Sequence, residues 1–141
     1  MRIQVTVFGE PKAQPRPRAF KRGDRASVYN PSTAEGWKSI ISMTLRDHIP
    51  EVPFDGPVSL SARFLMPRPK RLLRKNDPAG EVLHISKPDC DNLVKAVMDV
   101  CTQISVWNDD SQVVDQFTQK RYAAKDGRPG MVLIIESMEE K

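Results

Sequence analysis

The chain has 141 residues, 39% of them hydrophobic and 28% charged, with 22 basic against 18 acidic side chains and a net charge of +4. That is the size of one domain, 1–141, with a core large enough to need neither disulfides nor metal. The balance excludes a disordered chain, and no apolar run approaches the roughly 18 residues of a membrane-spanning helix.

Met1-Arg2-Ile3-Gln4-Val5 carries no signal-peptide core, so the cytoplasm is the expected location. Alternating Ile3, Val5 and Val7 predict a first strand. Pro11, Pro15 and Pro17 then break any regular element. Arg18-Ala19-Phe20 and Ser27-Val28-Tyr29, around Gly23-Asp24, predict a short hairpin. Ser32-Thr33-Ala34-Glu35 has the form of a capping box. Behind it Trp37, Ile40, Ile41, Leu45 and His48 recur at helical spacing, and Pro50 supplies a stop, so a helix is expected over 32–49. Its stripe reads as core packing, with His48 at the wet end.

Gly56-Pro57 opens a strand with Val58, Leu60, Ala62 and Phe64 on one face, ending at Pro67-Arg68-Pro69. Residues 67–88 hold four prolines and read as a long basic loop. A second helix is expected over 90–104, with Leu93, Val97, Val100, Cys101 and Ile104 as its apolar stripe. Asp91, Lys95 and Asp99 share another face at i, i+4 and i+8. Trp107-Asn108-Asp109-Asp110 predicts a turn. Val113–Tyr122 and Met131–Glu136 predict two further strands, joined at Asp126-Gly127-Arg128-Pro129-Gly130. The expected fold is α+β: a single mixed sheet of four or five strands with two helices packed on it.

Charge is unevenly spread. Residues 12–25 carry Lys12, Arg16, Arg18, Lys21, Arg22 and Arg25 against Asp24 alone. Residues 63–75 carry Arg63, Arg68, Lys70, Arg71, Arg74 and Lys75 with no acid. Residues 89–115 reverse this, with six aspartates against Lys95. Two basic segments and one acidic one suggest a polyanion partner and a separate carboxylate site; the bland alternative is a pair of solvated basic loops. Cys90 and Cys101, on one expected helix, would lie about 16 Å apart, too far for a disulfide. Two reduced, buried thiols are expected, and with only His48 and His84 in the chain a histidine-rich metal cluster is excluded.

The informative stretch is Asp89-Cys90-Asp91-Asn92-Leu93-Val94-Lys95, followed by Asp109-Asp110. Asp89 and Asp91 flank a helix start, and Asp110 lies at the mouth of the next strand. If the sheet joins those points, three carboxylates converge with Lys95 one turn beyond Asp91. Oxygen-only ligands suit Mg²⁺ or Mn²⁺, not zinc. Such an ion polarises a phosphoryl oxygen, and Lys95 would offer charge to a phosphate. Each part also has a plain structural reading. Asp89 is a good N-cap, Asp91 complements a helix dipole, Asp91–Lys95 is an ordinary surface spacing, and Asp109-Asp110 suits a turn.

Asp89-x-Asp91-Asn92-Leu93-x-Lys95-Ala96-x-x-Asp99, then Trp107-x-Asp109-Asp110-x-Gln112-Val113-Val114, resembles the signature of the RusA family of Holliday junction endonucleases. The resemblance implies that Asp89, Asp91 and Asp110 are the metal-binding catalytic aspartates and Lys95 the essential lysine, with Asp109 either a participant or a neighbour that orients the turn. It further implies Mg²⁺ dependence, a homodimer, and paired nicks across a four-way DNA junction. On that reading Arg68, Lys70, Arg71, Arg74 and Lys75, with Arg16 and Arg18 of the arm, are the candidate DNA contacts. The arm at 11–30 and the loop at 67–88 are longer than the shortest family members require.

Three other functions compete. One is a non-catalytic DNA-binding module whose acids only cap and turn. Another is a restriction-type nuclease, for which Pro88-Asp89 supplies a first half. Its second half exists only at Glu139-Glu140-Lys141, beyond the last strand. The third is a metal enzyme acting on free nucleotides, against which the two basic segments weigh.

Overall fold

A computed structural model describes residues 1–15, 18–29 and 33–138. The strands are β1 (Arg2–Phe8), β2 (Arg18–Arg22), β3 (Arg25–Tyr29), β4 (Val58–Met66), β5 (Val82–Leu83), β6 (Val113–Tyr122) and β7 (Gly130–Ser137). The helices are α1 (Glu35–Leu45) and α2 (Cys90–Gln103), with short 3₁₀ turns at Lys70–Leu72 and Asp110–Gln112. Five strands form one sheet in the order β1-β7-β4-β6-β5, and β2-β3 form a separate hairpin. The pairs β1–β7, β7–β4 and β6–β5 are antiparallel, while β4–β6 is parallel. A parallel pair needs a crossover, and α2 supplies it between β4 and β6. The mixed α+β architecture expected from the sequence is therefore present.

Period-two patterning builds the sheet. Ile3, Val5 and Val7 of β1, alternate residues Val58 to Met66 of β4, and Met131, Leu133 and Ile135 of β7 are buried. Onto this face pack Trp37, Ile41 and Leu45 of α1 and Leu93, Val94, Val97, Val100 and Cys101 of α2. The strands β1 and β7 run so close at Gly130 that any Cβ there would collide with the Val7 carbonyl oxygen. Glycine is the residue that permits this approach.

The helix α1 is shorter than the expected 32–49. Ser32 lies outside the described residues, and the helix starts at Glu35 after Ala34, without a side-chain cap. It ends at Leu45, where bonding tightens from Arg46 N–H to the Ser42 carbonyl into His48 N–H to the Leu45 carbonyl. Pro50 disfavours helical backbone before it, so the last turn is lost early. His48 is exposed in the turn beyond the helix, its Nδ1 3.2 Å from the Thr44 carbonyl, and Ile40 of the expected stripe is also exposed.

The helix α2 matches its expectation to within one residue. It closes with Ser105 in the left-handed region at φ 63° and the Val106 N–H bonded to the Cys101 carbonyl at 2.9 Å. That is a helix terminus of the kind usually completed by glycine.

The expected loop at 67–88 is folded rather than loose. The Arg68 guanidinium donates to the carbonyls of Leu72, Pro78 and Gly80 at 2.5–2.9 Å. The Arg74 N–H donates to the Asp77 carboxylate at 2.8 Å, and Lys125 Nζ to the Arg74 carbonyl at 2.6 Å. An Arg63–Glu81 ion pair and the two-residue β5 close the segment against the sheet.

Candidate active site

The site is built on the first turns of α2 and on the 3₁₀ turn before β6. Asp89 is the N-terminal boundary residue of α2, in extended conformation, and its exposed carboxylate caps nothing. Asp91 is exposed in the first turn and accepts the Asn92 N–H on its own Oδ1 at 3.0 Å. Both sit where a helix N-terminus favours negative charge. A cis Lys87–Pro88 peptide precedes them. Lys120, on β6, donates its ammonium to the carbonyls of Ser86 at 2.5 Å and Pro88 at 2.8 Å, tying the approach to Asp89 onto the sheet.

The second half of the site is the turn at 107–112. Trp107 is buried, its indole N–H donating to Thr102 Oγ1 at 2.8 Å. The Gln112 amide clamps the turn from both sides. Its oxygen accepts the N–H groups of Asn108 and Asp109 at 2.8 and 2.9 Å, and its nitrogen donates to the carbonyls of Phe54 and Gly56 at 2.7 and 2.9 Å. Asp109 accepts the Ser111 N–H at 3.1 Å as the turn's cap, a bond that holds its carboxyl below the usual range. The Asp109 side chain thus orients the turn, leaving Asp110 half-buried and directed at α2.

Lys95 joins the halves. Its Nζ lies 3.2 Å from Asp99 Oδ1 and 3.6 Å from Asp110 Oδ2. The hydrogen bond to Asp99 first, and the charges of Asp99 and Asp110 with it, push the Lys95 pKa up, so the ammonium is fully charged at neutral pH. Lys38 of α1 approaches the other Asp99 oxygen at 3.9 Å. Asp99 shares a helix face with Asp91, so Lys95 marks the place where that face meets Asp110.

Of the expected site residues, Lys95 and Asp110 are brought together, and Asp89 and Asp91 stand at the head of the same helix. The expected convergence of three carboxylates is not assembled. Among the described residues no three His, Cys, Asp or Glu side chains are close enough to hold an ion. The donor chemistry nevertheless fits a hard divalent cation, since every candidate ligand is a carboxylate and that of Asp89 caps nothing.

Lys70, Arg71, Arg74 and Lys75 are exposed, Arg71 reaching the Tyr122 hydroxyl at 3.4 Å. Arg68 instead folds the loop. Arg16 lies outside the described residues; Arg18 begins β2. Asp99, Gln112 and Lys120 were missing from the expected site. Asp99 and Gln112 stand in the two motif blocks, but nothing local in the sequence points from Lys120 to a carbonyl more than thirty residues away.

An acidic helix start, a lysine facing a further carboxylate and an exposed basic loop on a mixed sheet are the equipment of a phosphodiester-cleaving nuclease. The model of the family Endodeoxyribonuclease RusA matches residues 9–136, and the chain belongs to that family. It is similar to the uncharacterised protein YqaN of Bacillus subtilis (strain 168), with 36% identity over 126 residues, 86% of this chain and 88% of that protein. Among the described residues no helix is long and apolar enough to cross a membrane.

Proposed function

We propose that this endodeoxyribonuclease-family protein is a Mg²⁺-dependent, structure-selective endonuclease that resolves four-way DNA junctions by paired symmetric nicks. The carrying observation is Lys95, whose ammonium lies against Asp110 on the helix face that also bears Asp91. Family membership supports the reaction class. Asp89, Asp91 and Asp110 would hold the cation, with Mn²⁺ as a substitute. When bound, such an ion polarises the phosphoryl oxygen and lowers the pKa of attacking water. Lys95, kept protonated by Asp99 and Asp110, places positive charge where the phosphate accumulates negative charge. Lys70, Arg71, Arg74 and Lys75, with Arg16 and Arg18, engage the backbone of branched DNA. Arg68 serves by holding that loop in shape. A homodimer matches the two-fold symmetry of the substrate, with one site for each strand cut. The cytoplasm remains the proposed location.

Asp89→Asn, Asp91→Asn and Asp110→Asn test the assignment. Each removes one ligand charge and keeps the side chain's shape. Cleavage of a labelled junction in Mg²⁺ is expected to be abolished, while gel-shift affinity stays equal or rises, because less negative charge faces the polyanion. Three variants that lose binding with unchanged circular dichroism would assign the cluster to recognition instead.

A further inference from the structure

Asp99 lies one turn beyond Lys95 on α2, and its two carboxylate oxygens face cations from two different helices. Its Oδ1 is 3.2 Å from Lys95 Nζ, and its Oδ2 is 3.9 Å from Lys38 Nζ of α1. Lys95 Nζ reaches on to Asp110 Oδ2 at 3.6 Å. Lys38, Asp99, Lys95 and Asp110 thus form one line of alternating charge. It starts on α1, follows a face of α2 and ends at the turn before β6.

The line is loose at the site and fixed at its far end. The side chains of Lys95, Asp99 and Lys38 are 53%, 25% and 12% exposed, in that order. Covering a lysine as far as Lys38 is unfavourable unless an anion faces it, and among the described residues Asp99 is the acid within ion-pair reach. Lys38 is held from behind as well. It sits in the first turn of α1, its N–H bonded to the Ala34 carbonyl at 2.9 Å, next to the buried Trp37. Its side chain shares the cleft between the helices with Val100 and Gln103 of α2. Helix stabilisation is a poor account of the Lys95–Asp99 pair, because a lysine one turn before an acid is the weaker order for such a pair. Asp110 is a poor anchor for Lys95, since on the nuclease reading its carboxylate is drawn on by the cation. Asp99 is the partner that Lys95 keeps.

We infer that Lys38 and Asp99 are positioning residues for Lys95: the covered ammonium of α1 holds the Asp99 carboxylate, which in turn holds the Lys95 ammonium beside Asp110. Neither residue touches the phosphate. This rests on the nuclease reading above and deepens it, because the packing of α1 on α2 becomes part of the active site.

The test measures single-turnover cleavage of a four-way junction in Mg²⁺ at saturating enzyme. Asp99→Asn, Lys38→Met and Lys38→Arg are made in wild type, and the first two also in a Lys95→Ala background, with thermal melts to establish folding. In the wild-type background Asp99→Asn and Lys38→Met should each lower the rate about tenfold or more, the scale of displacing a reacting group by a fraction of an ångström. Junction affinity should not fall, and Lys38→Arg should keep most of the rate. In the Lys95→Ala background neither change should lower the rate further by more than about twofold, because residues that act through one group are not additive with its loss. A staple between the helices would instead cost the same in both backgrounds, and that result overturns the proposal, as does wild-type cleavage by folded Lys38→Met. If Asp99→Asn does not fold, Lys38→Met decides alone. If wild type cuts no junction, the nuclease reading fails separately, and the positioning is judged on the metal-free protein. The NMR signal of the Lys95 side-chain nitrogen, assigned by its loss in Lys95→Ala, should move in Asp99→Asn and Lys38→Met and return in Lys38→Arg. A Lys95 signal that Lys38→Met leaves in place overturns the proposal.

Discussion

Lys95 carries the most chemistry of any single residue described here. Its ammonium contacts Asp99 and Asp110 at once, yet its side chain is 53% exposed, so the pairs themselves add little to stability. The value of the arrangement is placement. Lys95→Ala is expected to lower single-turnover cleavage at saturating enzyme by about 100-fold or more, the scale of removing one charge-stabilising donor. Junction affinity should change little, because one cation among several basic side chains contributes a small share of binding. The raised pKa adds a sign to the expectation. A lysine held above its ordinary value stays protonated until the pH climbs past that value, so the rate between pH 6 and 9 should show no fall due to Lys95. Normal single-turnover cleavage by the alanine variant would reduce Lys95 to a surface partner of its acids. Cys101 shows the opposite extreme: it is buried, with burial pushing its thiol up to about 12, whereas Cys90, expected to be buried too, is only half-buried at the start of α2.

At the scale of elements, the segment entering α2 decides where Asp89 stands. Lys120 reaches across from β6 to hold it by two carbonyls. Lys120→Met is therefore expected to raise the Mg²⁺ concentration needed for half-maximal cleavage by about tenfold or more, the usual cost of losing a group that orients a ligand. Lys120→Arg should recover part of the loss, and Mn²⁺ binding measured without DNA should weaken in parallel. A drop in rate at saturating metal, with no change in metal dependence, would mean that Lys120 serves the fold alone. What was legible in the sequence follows the range of the forces involved. Period-two burial wrote β1, β4 and β7 into the chain, and the 3.6-residue stripe wrote α2, because each pattern is local. The head of α2 and the turn at Asp109-Asp110 were legible for the same reason. The strand β5 has two residues and no period to read. Arg68 folds its loop through carbonyls up to twelve residues away, so its charge read as a DNA contact. The Gln14 N–H meets the Asn92 carbonyl at 2.9 Å only after the arm crosses α2.

At the scale of the whole molecule, the outer edge of β6 is open over most of its length among the described residues. Among the described residues β5 alone pairs with that edge, at Arg121 and Tyr122, while Val114 and Phe117 are 58% and 57% exposed. Open edges and exposed apolar side chains are features that proteins usually cover. A homodimer is expected, with sedimentation equilibrium giving about twice the chain mass, and Phe117→Lys should shift the equilibrium toward monomer. Mixed dimers of wild type and Asp91→Asn should nick one strand of a junction extruded from a supercoiled plasmid, leaving open circles. Linear product from such mixed dimers would mean that one subunit makes both cuts.

The central claim joins the acids of α2, Lys95 and Asp110 into a site that acts on branched DNA. The most direct measurement compares cleavage of a four-way junction with that of a linear duplex of the same sequence, in Mg²⁺, with nicks mapped on all four strands. The account predicts paired nicks at symmetry-related positions in the junction and little cutting of the duplex. Equal cutting of both, or nicks without symmetry, would contradict it.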